Sequence, residues 1–135
     1  MPVRFVDTNV FLRFLTRDDP AKFERCRRLF EQAVAGSITL RTSELVIAEI
    51  VWTLLSYYEL PKSVVIEKVG QILNTPNLSV TNQEILIEAL VLWNRHNCDF
   101  IDTYNAALMH RDGLTELVSY DTDFDLFPFT RRQEP

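Results

Sequence analysis

The chain has 135 residues, 47% of them hydrophobic and 24% charged, with a formal net charge of −5. That is enough apolar material for one real core but too little length for two, so one globular domain over residues 1–135 is expected, and the absence of low-complexity runs and repeats excludes disordered and solenoid architectures. The acidic balance argues on average against a phosphate-rich partner, unless clustered acids serve divalent cations and leave the arginines to meet phosphate.

Val3 to Val6 reads as a short buried strand, followed by polar Asp7-Thr8-Asn9 and a helix carrying Val10, Phe11, Phe14 and Leu15 at helical spacing. Asp19-Pro20 suits the opening of a second helix, running to about Ala35 and closed by Gly36. Ile38 to Leu40 reads as a second strand, and Thr42-Ser43 as the cap of a long helix from Glu44 to about Tyr58 that is apolar nearly all round. Pro61 starts a helix to about Leu73, Asn74 to Asn77 turns the chain, and Leu78 to Val80 is a third strand. Asn82 is placed to cap the next helix, whose Ile85, Leu86, Ala89, Leu90 and Trp93 trace a core-facing stripe. Asp99 begins one more helix to about His110, Asp112-Gly113 turns, and Glu116 to Tyr120 forms a strand ending at Asp121. Strands alternating with helices predict an α/β fold with a mostly parallel sheet covered on both faces. Sites in such sheets lie beyond the carboxyl ends of the strands, where Asp7 and Asp121 both fall.

Four acids stand out, and each has a plain structural alternative. Asp7 follows a strand and precedes a helix, which suits either a site carboxylate or an N-cap. Glu49 sits among Val46, Ala48, Ile50, Val51 and Trp52 on a helix expected to be largely buried, where an unpaired carboxylate is costly; pairing with an arginine is the alternative. Asp102, three residues after Asp99, has the spacing of a first-turn acid behind a capping aspartate, so Asp99 is expected to cap. Asp121 has the strand-end position, while Asp123 and Asp125 rank below it as supporting or solvated turn residues. Two carboxylates about 4 Å apart repel by roughly 4 kcal/mol at an effective dielectric of about 20, so a cluster of these acids calls for protons or cations. Oxygen-only donors select magnesium, or manganese, over zinc, and neither His96 nor His110 has a ligand partner at metal-site spacing.

The order of these segments is also similar to that of a known family. Phe5-Val6-Asp7-Thr8-Asn9, Glu49, Phe100-Ile101-Asp102-Thr103 with Ala106-Ala107, and Ser119-Tyr120-Asp121-Thr122-Asp123-Phe124 resemble the acidic motifs of PIN-domain nucleases. Length and order resemble the single-domain VapC toxins of toxin–antitoxin pairs. The resemblance implies a single PIN domain, a three-layer fold and a magnesium-dependent endoribonuclease held inactive by a small VapB-like antitoxin, often as a homodimer. It also implies that Asp7, Glu49, Asp102 and Asp121 carry the chemistry, with Asn9 and Ser119 as polar supports; the expectation is that Asp7 and Asp102 ligate magnesium directly while Glu49 and Asp121 bind it through water or hold a second ion. The family's last motif often has threonine where Ser119 stands.

Two rivals remain at this level. One is a phosphatase with Asp7 as phosphoryl acceptor, disfavoured because Asn9 replaces the usual second aspartate and no lysine is placed to hold phosphate. The other is a non-catalytic PIN-like module that binds nucleic acid or protein. No P-loop, nucleophile elbow or dinucleotide fingerprint occurs. Cys26 and Cys98 lack a disulfide or zinc pattern, no signal-like or membrane-spanning run is present, and a cytoplasmic location is expected.

Overall fold

The computed structural model describes all 135 residues, which form two compact units, Met1–Gln83 and Glu84–Pro135. In the first, β1 (Val3–Phe5), β2 (Thr39–Thr42) and β3 (Leu78–Val80) make a parallel sheet in the order β1-β2-β3. Arg4 lies beside Leu40, and Leu40 beside Leu78, so the fully buried Leu40 marks the middle of the sheet. Helices α1 (Thr8–Thr16) and α2 (Pro20–Val34) connect β1 to β2, while α3 (Glu44–Ser56) and α4 (Lys62–Leu73) connect β2 to β3. Parallel neighbours demand such crossovers.

The caps follow local chemistry. Asp19 accepts from the Lys22 amide at 3.1 Å with Pro20 at the first helical position, and Ser43 accepts from the Val46 amide at 3.3 Å. Gly36 ends the α2 region at a φ of +82°, which glycine adopts without a Cβ penalty. Phe11 and Phe14 of α1 pack on Phe30 of α2 with ring centroids 5.5 and 4.8 Å apart, joining the two helices.

The first strand differs from expectation. Val3 and Phe5 are 60% and 64% exposed, because β1 is an edge strand whose apolar side chains point outward; burial begins at Val6. Strand β2 starts one residue later than Ile38 and runs on to Thr42, whose buried hydroxyl donates to the Val6 carbonyl at 2.8 Å. Asn82 precedes the next helix at a left-handed φ of 55°, and its side-chain amide donates to Glu44.

The second unit contains α5 (Gln83–Arg95, entered from the first unit), α6 (Phe100–Arg111), and the parallel pair β4 (Glu116–Val118) and β5 (Arg131–Gln133). A short 3-10 helix at Thr122–Leu126 lies between the two strands. Its core gathers Ala106, Phe124 and Phe127, with Leu92, Cys98, Leu117 and Phe129 packed against them. Strand β4 ends at Val118 instead of Tyr120, and β5 has no counterpart in the sequence reading, since Arg131-Arg132-Gln133 lacks apolar alternation. No helix is long and apolar enough to cross a membrane, and both cysteines are free.

Candidate metal centre

Three acids, Asp102, Asp121 and Asp123, gather in the second unit. The start of α6 is pinned by its neighbours: the Trp93 indole donates to the Cys98 carbonyl at 2.9 Å, and the Thr103 hydroxyl, fully buried, donates to the Phe100 carbonyl at 2.6 Å. Phe100 and Thr103 face inward, and Asp102 stands half-buried between them in the first turn. After β4, the Ser119 hydroxyl accepts from the Asp121 amide at 3.0 Å, and Asp121 Oδ1 accepts from the Asp123 amide at 2.9 Å. Asp121 thereby caps the 3-10 helix and holds Asp123 in a fixed turn. Arg132 of β5 braces the same turn, donating to the Ser119 carbonyl at 3.1 Å while pairing with Asp125.

Carboxylate oxygens of Asp102, Asp121 and Asp123 lie within 4.8 Å of one another. Asp102 Oδ2 is buried and has no hydrogen-bond partner. Burial, then the negative charges of Asp121, Asp99 and Asp123, push the Asp102 carboxyl up to about 6. A desolvated carboxylate with an orphan oxygen among further acids is what a hard divalent cation satisfies, and the all-oxygen donor set fits such an ion. Asp123, ranked below Asp121 from sequence, joins the cluster, its amide held by the Asp121 side chain that caps the 3-10 turn.

The expectation that Asp99 caps α6 is met in position only, while the histidines pack or pair as expected. Asp99 occupies the N-cap position of α6, but its side chain makes no capping hydrogen bond; it acts on Asp102 through charge. The histidines pack or pair: the His96 ring lies edge-on to Phe127 at 5.1 Å, and His110 Nδ1 lies 2.6 Å from Glu88 Oε1.

In the first unit, Asp7 lies two residues beyond the end of β1 and caps α1, its Oδ1 accepting from the Thr8 amide at 2.8 Å. Asn9 is exposed in the first turn of α1. Glu49 corrects the expectation of burial. Helix α3 buries Val46, Ile47, Ile50, Val51 and Leu54, and the opposite stripe, with Leu45 78% and Trp52 68% exposed, carries Glu49 into solvent. Its apolar sequence neighbours are on other faces or are themselves exposed, so no burial cost bears on it.

A family model described as PIN domain matches residues 4–129. The chain belongs to the PIN-domain family. The α/β arrangement of six helices and parallel strands is accordingly that of a PIN fold. This PIN domain is 28% identical over 127 residues to a protein of Aquifex aeolicus (strain VF5) named VapC ribonuclease, covering 94% of this chain and 93% of that one. Among solved structures it is similar to Mycobacterium tuberculosis VapC20, described as a sarcin-ricin loop cleaving toxin, at 19% identity and a TM-score of 0.42, over 91% of this chain and 93% of the other. It is also similar to a chain of Rickettsia felis VapBC2 bound to a promoter DNA fragment, at 12% identity and a TM-score of 0.40, over 98% of both.

Proposed function

We propose that this PIN domain is a divalent-metal-dependent endoribonuclease and the toxin of a two-component toxin–antitoxin pair. The observation that carries the metal-dependent nuclease reading is the Asp102–Asp121–Asp123 cluster with its orphaned, desolvated Asp102 oxygen. The toxin assignment follows the VapC ribonuclease relative and the order of acidic motifs. Asp102, Asp121 and Asp123 would hold magnesium, or manganese in its place; Asp7 is proposed as a further direct ligand and Glu49 as one acting through water, both on the strength of the motif order. A bound divalent ion supplies Lewis acidity that makes water a nucleophile near neutral pH and offsets charge developing on the phosphate.

The chain's own contribution is positioning and proton affinity. Ser119 and the Asp123 amide hold Asp121 by its backbone and by Oδ1. Thr103 and Trp93 fix the turn that presents Asp102, whose carboxyl must give up its proton before it can hold a cation. No serine, cysteine or lysine is invoked as a nucleophile. We extend the proposal to a small antitoxin partner, a homodimeric assembly, a cytoplasmic location and a single functional domain.

The test is RNA cleavage by purified protein with magnesium. Asp7→Asn and Asp121→Asn are expected to lower the rate at least about a hundredfold, in the range that loss of one electrostatic stabiliser costs an enzyme, and EDTA is expected to abolish it. Cleavage that persists in EDTA, or at wild-type rate in Asp7→Asn, contradicts the assignment.

A further inference from the structure

Helices α1 and α2 enclose an open groove of about 480 Å³ in the first unit. Asn9 and Arg13 line it from α1, Lys22 and Arg25 from α2, over an apolar floor that includes Val10 and Leu29. The cationic residues of α2 divide by face. Arg27 pairs with Glu24 and Glu31, and Arg28 pairs with Glu24, all on the side away from the groove. Lys22 and Arg25, three residues apart and therefore on one face, are exposed and make no ion pair. Arg13 is held at 3.1 Å by Asp18, which in turn accepts from the Tyr58 hydroxyl at 2.8 Å, so the third cation of the groove is fixed in place. In a chain of net charge −5, the unneutralised cations of this helix are thus gathered at one concave surface, and their natural complement is a polyanion.

We propose that this groove binds the phosphate backbone of single-stranded RNA, with Lys22 and Arg25 as the phosphate contacts and the Val10–Leu29 floor meeting ribose or base faces. The inference rests on the ribonuclease reading in one respect: Asn9, at the groove, is two residues from Asp7, so a strand engaged at Asp7 continues into the groove. An acidic protein segment is the competing occupant. The mixed lining, basic rim over apolar floor, suits a strand that offers phosphates and flat ring faces together.

The experiment is fluorescence anisotropy of a labelled oligouridylate with the full chain in EDTA, which prevents cleavage, over a range of salt concentrations. Lys22→Gln/Arg25→Gln is expected to weaken binding about tenfold or more and to reduce the slope of log K against log salt by about 1.4, two contacts at roughly 0.7 each. Arg28→Gln, which removes one cation of the same helix outside the groove, is expected to shift binding by less than about twofold. Unchanged affinity and slope in the double variant overturn the proposal, as does polyglutamate displacing the RNA at equal charge. Wild-type cleavage with magnesium is read separately: if it is absent while binding still depends on Lys22 and Arg25, the nuclease reading fails and the groove stands. If cleavage is present and the double variant binds normally, the groove fails and the nuclease reading stands.

Discussion

Asp102 Oδ2 is buried without a hydrogen-bond partner, and Asp99, Asp121 and Asp123 all act on its carboxyl with charge of the same sign. Without a cation the folded protein therefore keeps the proton up to about pH 6, against an ordinary value of 3.8. A carboxyl raised on folding adds stability below its unfolded value and loses it as the pH climbs through the folded one. Metal-free protein is thus expected to lose on the order of 2 kcal/mol between about pH 4 and pH 6, read by urea unfolding at a series of pH values. Asp102→Asn removes the charge while keeping the shape, so at pH 8 without metal it should unfold at higher denaturant than wild type, yet cleave no RNA. A variant less stable than wild type under those conditions would show that Asp102 is an ordinary paired acid. Higher stability with lost cleavage is the pairing expected where a site is built for a ligand.

At the scale of elements, caps and turns explain why the helix starts were legible. Asp19-Pro20, Ser43 and Gly36 act locally through their own side chains or backbone freedom, and the structure uses each as the sequence suggests. Asp19→Ala is expected to cost about 1 kcal/mol of stability in urea unfolding while leaving RNA cleavage unchanged. No loss of stability would mean that the 3.1 Å bond to the Lys22 amide is not formed in solution. Burial was less legible, because it depends on which face of an element meets another. Val3 and Phe5 look like core residues and lie on an edge strand; Glu49 looks trapped among apolar neighbours and lies on the open stripe of α3. Strand β5 was missed because Arg131-Arg132-Gln133 is held by its backbone pairing with β4 and by the Arg132–Asp125 bridge, neither of which leaves a hydrophobic pattern. Asp123 is hard to read for a related reason: its place beside Asp102 and Asp121 depends on how the turn capped by Asp121 meets the start of α6, which leaves no local signal.

For the molecule as a whole, an excess of acid and a phosphate-bearing substrate are compatible when the charges are segregated. Acids concentrate at Asp99, Asp102, Asp121 and Asp123 in the second unit, while the free cations of α2 line a groove of the first. Net charge averages over both and hides the division. The central claim is that the acidic cluster exists to take up a hard divalent ion, and calorimetric titration of the folded, metal-free protein with manganese tests it most directly. Binding is expected to release protons near pH 6, where Asp102 is partly protonated, to release almost none by pH 8, and to be lost in Asp102→Asn and Asp121→Asn. Folded protein that takes up no manganese, or takes it up equally well without Asp102, contradicts the claim.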